Sequence, residues 1–197
     1  PAVSFSKVLA QAHAVVLAGG TMQPFVDLEM QLFRNLPPGR CRTHCFGHIV
    51  PAANLLPLVV SQGPSGVPLN FNFASRATPP LMDELAKLLA ALCDAVPDGV
   101  VVFVPSFGYE EQLVAHWEKT GAWAKLAARK RLFREPREAC DLDAVLKGYA
   151  QTIEDNHQGK GTAGPRGALL LSVVGGKMSE GINFADGLGR CVVMVGM

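Results

Sequence analysis

The sequence predicts an α/β fold, a parallel sheet with helices on both faces. Short apolar runs, Val100 to Val104 (VVVFV), Ala168 to Val174 (ALLLSVV) and Cys191 to Val195 (CVVMV), have strand length and no polar face. Such runs suit strands buried on both sides. Stretches with helical apolar spacing lie between them, and this alternation of strand and helix argues for βαβ units.

From the start of the chain, Val8 to Ala18 lead into a short buried strand that ends at a Gly19-Gly20 turn. Phe25 to Leu36 has helical spacing (Phe25, Leu28, Leu32, Phe33) and stops at Pro37-Pro38-Gly39. That tripeptide, with polar Arg40 to Thr43 behind it, is the best linker candidate. Asn54 to Val60 and Leu69 to Phe73 read as strands, the second alternating Leu69, Phe71 and Phe73. Thr78-Pro79-Pro80 opens a helix, with Thr78 as N-cap and proline tolerated in the first turn. Leu81, Leu85, Leu88, Leu89 and Leu92 form its apolar stripe.

Pro97-Asp98-Gly99 turns the chain into the central strand Val100 to Val104. Tyr109 to Lys119 reads as a helix ending at Gly121, with Glu110 and Glu111 on its solvated first turn. Lys130 to Arg134 is a short strand, and Leu142 to Ile153 a helix with Leu146, Tyr149 and Ile153 inward. Asn156 to Arg166 (NHQGKGTAGPR) is a polar, glycine-rich surface loop expected to be flexible, before strands at Ala168 and Cys191.

With 49% hydrophobic and 18% charged residues, the 197-residue chain can bury one or two cores and is not disordered by composition. A net charge of +1 excludes a global basic field, so any nucleic-acid contact comes from local groups and backbone amides. The basic cluster Lys125, Arg129, Lys130, Arg131, Arg134 reads as a solvated face. Five cysteines without a disulfide pattern fit a reducing compartment. No apolar run reaches the roughly 18 residues of a membrane span. The chain starts at Pro1 and ends on the apolar run CVVMVGM, so a fragment of a longer protein is expected.

The most informative stretch is Ser172 to Phe184 (SVVGGKMSEGINF), where a buried strand stops at Gly175-Gly176-Lys177 and a hydroxyl, an acid and a glycine follow. Open α/β sheets hold ligands at the C-terminal ends of their strands. Glycines let backbone N–H groups approach a phosphate, while Lys177 and Ser179 supply charge and a hydroxyl. An ordinary turn with solvated charges is the competing reading. A phosphate loop needs G-x-x-x-x-G-K-[ST]. Gly159-Lys160 has Glu154 and Gly161 at the flanking places, and Gly176-Lys177 has Leu171 and Met178, so neither qualifies. Cys41, His44, Cys45 and His48 offer zinc-type ligands, but Pro38, Gly39, Gly47 and Pro51 crowd the segment and the spacing fits no zinc ribbon, so no metal site is expected.

KMSEGINF after a buried strand resembles motif V of the XPD-type iron–sulfur DNA helicases of superfamily 2. Val15 to Met22 (VVLAGGTM) is similar to their motif III, Val96 to Phe107 (VPDGVVVFVPSF) to motif IV, and Arg190 to Met197 to the strand after motif V. His48-Ile49-Val50-Pro51 and Asn54-Leu55-Leu56 bring the resemblance closest to the ChlR subfamily, the sister-chromatid-cohesion DEAD/H-box helicases.

The resemblance implies a RecA-like fold in which residues 1–36 end a first motor domain and residues 37–197 make up an incomplete second one. It also implies ATP-dependent 5′-to-3′ DNA unwinding in the parent protein, with ATP and Mg2+ as cofactors. The family's 4Fe-4S cluster ligands belong upstream of motif III and are absent here. Single-stranded or forked DNA, replication or cohesion proteins and a nuclear location follow by the same resemblance, with no membrane.

Ser106 and Phe107 in motif IV, and Lys177 and Ser179 in motif V, are the implied DNA contacts, with Tyr109 beside Phe107 as a second stacking candidate. Phe107 equally suits packing under the following helix. Gly181 and Asn183 would face the nucleotide. Thr21 would couple nucleotide state to DNA grip, or else cap the helix near Phe25. No Walker A, acidic box or motif VI arginines occur in the chain, so the fragment alone is expected not to hydrolyse ATP. A truncated product that only binds nucleic acid or a protein is the rival reading.

Overall fold

The central strand β1 (Gly99–Val104) pairs in parallel with β3 (Ala168–Val173) on one side and with β4 (Cys191–Met194) on the other. β2 (Arg131–Arg134) pairs in parallel with β3, which gives the order β2-β3-β1-β4. This is the expected RecA-like α/β arrangement, seen in a computed structural model that describes residues 2–37, 39–158, 165–181 and 183–196. The chain divides into two compact units, residues 1–57 and 58–197, and the whole sheet lies in the second.

Both faces of β1 and β3 are covered, as these two apolar strands require, whereas β4, expected to be buried, keeps Val192 and Met194 on an exposed face. Val100, Val102 and Val104 of β1 and Leu169, Leu171 and Val173 of β3 face one way. They pack on Leu85 and Leu89 of α3 (Pro79–Ala95), Leu113 and Trp117 of α4 (Phe107–Thr120) and Leu126 of α5 (Ala122–Ala127). Val101, Ala168 and Leu170 face the other way, onto Tyr149 and Ile153 of α6 (Leu142–His157).

Local chemistry sets the helix ends. Ser106 caps α4, its hydroxyl accepting from the Tyr109 backbone N–H at 3.2 Å. Gly121 ends α4 in the left-handed region at φ 75°, where a side chain would be strained. Thr78 sits at the N-cap of α3 without capping; its hydroxyl donates to the Ser75 carbonyl instead. Trp117 is fully buried and its indole N–H donates to the Met82 carbonyl at 2.8 Å, tying α4 to α3.

Several expectations are corrected. Residues 54–60 form no strand: after a 3₁₀ turn at Ala52–Asn54 the chain carries no regular structure, with Val59 fully exposed. Leu69 to Phe73 is not a strand either; a single antiparallel bridge, Gln62 to Pro68, precedes it, and the chain enters a turn at Phe73. Both segments have β-like side chains but, among the described residues, no strand beside them; the Leu69 N–H instead donates to the Ser61 carbonyl at 2.8 Å.

In the first unit, the expected buried strand before Gly19 is absent: α1 (Ala2–Gln11) gives way to irregular chain, with Val16 87% exposed. The next helix, α2 (Phe25–Leu32), is shorter than expected and ends at Phe33, whose ring packs edge-on against Phe5. α5 follows α4 after one glycine and was not anticipated. Of the expected flexible loop, Asn156 and His157 belong to α6 and residues 159–164 lie outside the described residues, as does Pro38 of the linker candidate.

The charged readings change most. Glu110 is buried, not solvated, because the Arg134 guanidinium grips its carboxylate through two hydrogen bonds of 2.5 and 2.7 Å. That pairing also pushes the Arg134 pKa further up. Lys130 is buried as well, its ammonium donating to the Asp98 and Arg166 carbonyls at 2.9 Å each and so clamping the turns that precede β1 and β3. Burial holds its pKa below the usual lysine value. The basic cluster is therefore partly structural: Lys130 is buried, while Lys125, Arg131 and Arg134 keep the expected exposure, as does Glu111, paired with Arg137 at 2.6 Å.

Candidate nucleic-acid interface

The C-terminal ends of β1 and β3 are neighbours. Val104 stands opposite Val173, and the Val174 N–H donates to the Val104 carbonyl at 2.9 Å, so the loops leaving the two strands start side by side. Gly175 turns the chain at φ 71°. The Gly176 N–H returns to the Val173 carbonyl at 2.9 Å, and α7 (Lys177–Gly181) begins at once.

One buried carboxylate organises this turn. Glu135 follows β2 and extends its ladder, its N–H donating to the Leu171 carbonyl at 2.8 Å. Its side chain crosses to the end of β3 and accepts three hydrogen bonds: from the Ser172 hydroxyl at 2.7 Å, the Val173 N–H at 2.9 Å and the Met178 N–H at 3.2 Å. Gly176 passes directly over it, and a Cβ there would lie 2.5 Å from a carboxylate oxygen. Met178 is fully buried beneath the turn. The loop is thus fixed from below by an acceptor that answers two of its backbone donors, and its outer surface stays open.

Lys177 opens α7 exposed, with no ion-pair partner among the described residues. Ser179 is exposed and its hydroxyl donates to the Gly176 carbonyl at 2.8 Å, leaving its lone pairs outward. Gly181 ends α7, Asn183 is exposed beyond it, and Ile182 of the motif lies outside the described residues.

At the end of β1, Ser106 spends an oxygen lone pair on the cap of α4 and keeps its hydroxyl proton. Phe107 is half-buried, with the Arg137 guanidinium 5.2 Å over its ring. Tyr109 is not a stacking platform: it is buried, its phenol donates to the Arg76 carbonyl at 2.9 Å, and burial pushes its pKa up to about 12.

The structure therefore brings Ser106, Phe107, Lys177 and Ser179 to the C-terminal end of the sheet, on the adjacent segments that leave β1 and β3. Thr21 lies in the first unit, exposed and outside any helix; α2 has Pro24 at its N-cap and no side-chain cap, so Thr21 does not serve there. Among the described residues no group of three or more His, Cys, Asp and Glu side chains is placed to hold a metal ion. His48 accepts from the Val50 N–H at 3.0 Å, and Cys45 accepts from the Gln23 amide at 3.4 Å. Sequence reasoning passed over Glu135 and Arg76; the one available signal for the former was an acid directly behind a short strand.

A family model described as the helicase C-terminal domain matches residues 89–197. Along its whole length the chain is 51% identical to the human ATP-dependent DNA helicase DDX11 and 46% identical to that of Danio rerio. It is 41% identical to the ATP-dependent DNA helicase chl1 of Neurospora crassa. The chain spans about a fifth of the length of these curated relatives, 20%, 22% and 20% respectively.

Proposed function

The chain belongs to the helicase C-terminal domain family, and from that premise we propose that it is part of the motor of an ATP-dependent DNA helicase. In this reading residues 1–36 end a first RecA-like domain and residues 37–197 form most of a second. The carrying observation is the Gly175 to Ser179 turn, held at the end of a buried strand by Glu135 and presenting Lys177 and Ser179 outward. Ser106 and Phe107 at the end of the adjacent strand extend the same surface, so a nucleic-acid backbone would run from motif IV to motif V across the C-terminal end of the sheet. Contacts to phosphate of this kind position a strand without reading its sequence.

ATP binding between two RecA-like domains would change their grip on the strand, with Gly181 and Asn183 facing the nucleotide and Thr21 transmitting its state. Asn183 offers an amide oxygen and no charge, which suits a hydrogen bond to ribose or ordered water better than a metal contact. The phosphate-gripping Walker A motif is not in this chain, and the described residues hold no carboxylate cluster for Mg2+. Both belong to other parts of the parent protein, as does the family's 4Fe-4S cluster. Unwinding from 5′ to 3′, work on single-stranded or forked DNA in the nucleus, and association with replication or cohesion proteins complete the reading.

The second reading, a nucleic-acid or protein binding module without turnover, is favoured by the missing Walker A. Replacing the corresponding fifth of the human relative with this chain separates the two. A hybrid that hydrolyses ATP in response to single-stranded DNA and unwinds a fork supports the motor. A folded hybrid that binds DNA without turnover supports the binding module.

A further inference from the structure

We propose that Phe73 and Arg76 form a stacking-and-phosphate subsite for single-stranded DNA beside Ser106, one that rests on the motor reading and extends its surface.

The turn that carries the pair is tightly built. Asn72 accepts from the Ser75 N–H through its side chain at 2.9 Å and from the Arg76 N–H through its carbonyl at 2.9 Å; the Thr78 N–H then donates to the Ser75 carbonyl. The preceding residues lie against the C-terminal end of the sheet: a Cβ on Gly196, just past β4, would stand 3.0 Å from Phe71 and 3.5 Å from Pro105. Phe71 is half-buried against the core, whereas Phe73 is 85% exposed.

Arg76 lies between two aromatic rings, its guanidinium carbon 4.9 Å from the centroid of Phe73 and 5.1 Å from that of Tyr109. Tyr109 holds it from below, donating to the Arg76 carbonyl while its own N–H is bound by Ser106. Arg129, Arg134, Arg137 and Arg190 each face a carboxylate, but Arg76 has no ion-pair partner among the described residues.

Ring stacking occupies the faces of a guanidinium and leaves its N–H donors free in the plane. An unneutralised cation, pre-oriented by two rings, is matched to a phosphate, and the exposed ring beside it to a base. A single strand repeats both features at each nucleotide. An acidic peptide would satisfy the cation and leave Phe73 unused.

The test uses the 197-residue chain and labelled oligothymidylate, titrated at several salt concentrations, with an abasic deoxyribose-phosphate oligomer of equal length as the second probe. Phe73→Ala is expected to weaken oligothymidylate binding by roughly 5- to 150-fold, the range for one lost base stack, with the salt slope unchanged. The same variant should bind the abasic oligomer as the wild type does. Arg76→Gln is expected to lower the salt slope by about 0.7 on both probes, and Arg76→Lys to restore it. Equal thermal midpoints show that the variants are folded; if Arg76→Gln is not, the Arg76→Lys and Phe73→Ala results decide. Binding that falls with Lys177→Ala while Phe73→Ala and Arg76→Gln bind as wild type overturns the subsite and leaves the motor reading standing. A wild-type chain that binds neither probe at low salt overturns both.

Discussion

The carboxylate of Glu135 accepts the backbone N–H of Met178, 43 residues further along the chain, and so joins the exit of β2 to the turn that follows β3. Two strands that are neighbours in the sheet are thereby coupled at their functional ends through one side chain. With Glu135→Gln, a single amide oxygen cannot serve both the Met178 N–H and the Ser172–Val173 pair, and the amide's own N–H groups point at a donor. The loss expected is about 1–3 kcal/mol, the cost of an unanswered buried donor, read by urea denaturation. Amide exchange at Met178 should quicken more than at Leu170 in the middle of β3. Equal quickening at both positions would mean that Glu135 stabilises the domain without shaping the loop.

Lys177→Ala should weaken single-stranded DNA binding about equally for all sequences and lower the salt slope by about 0.7, one neutralised phosphate on a single strand. Fluorescence titration across salt concentrations on folded wild type and variant measures this. An unchanged slope removes Lys177 from the interface.

Two arginine–glutamate pairs flank the first turn of α4 and should differ in worth. Glu110 is buried beneath a half-exposed Arg134, whereas Glu111 and Arg137 are both exposed. Arg134→Ala strands a buried carboxylate and is expected to cost roughly 1–3 kcal/mol, below the range for a fully buried pair because the arginine is partly hydrated. Arg137→Ala should cost less than about 1 kcal/mol. Thermal or urea unfolding of the two variants gives the ordering, and equal costs would contradict it.

Cys93 gives the domain an alkaline limit. Burial pushes its thiol from 9.0 up to about 11, opposed in part by the Lys130 cation and reinforced by Asp94. Between these values the unfolded chain gives up a proton that the folded chain keeps, so this thiol's contribution is intact below pH 9 and is lost as pH rises towards 11. At about 1.4 kcal/mol per pKa unit, the loss is on the order of a few kcal/mol. Cys93→Ala should flatten the fall of stability over that window relative to wild type. Parallel curves would count against the shift.

The sheet was legible because its strands are runs such as VVVFV and ALLLSV, and because Thr78-Pro79-Pro80, Ser106 and Gly121 mark helix ends by local chemistry. Residues 54–60 and 69–73 misled because β-like side chains state a preference, while a strand also needs a partner, and no partner is written locally. The Gly175 to Ser179 turn could be found from its glycines. Glu135 beneath it, Glu110 under Arg134 and Arg76 between two rings could not, since each takes its meaning from residues far away in sequence.

The strand order has a consequence for how the chain comes to be folded. β1 is the first strand of the sheet in sequence and, like β3, lies inside it, yet both of its hydrogen-bonding neighbours, at Leu169 and Cys191, are synthesised after it. On a ribosome, Val100 to Val104 would wait unpaired while α4, β2 and α6 emerge, a short β-prone segment with both edges open and no charge to keep another copy away. The helices α3 and α4, which cover one of its faces, are available sooner and are joined by Trp117 and Met82. Shielding of the nascent strand thus falls to helices before any sheet exists, and a lesion in the α3–α4 contact would act on yield and solubility even where the finished domain tolerates it.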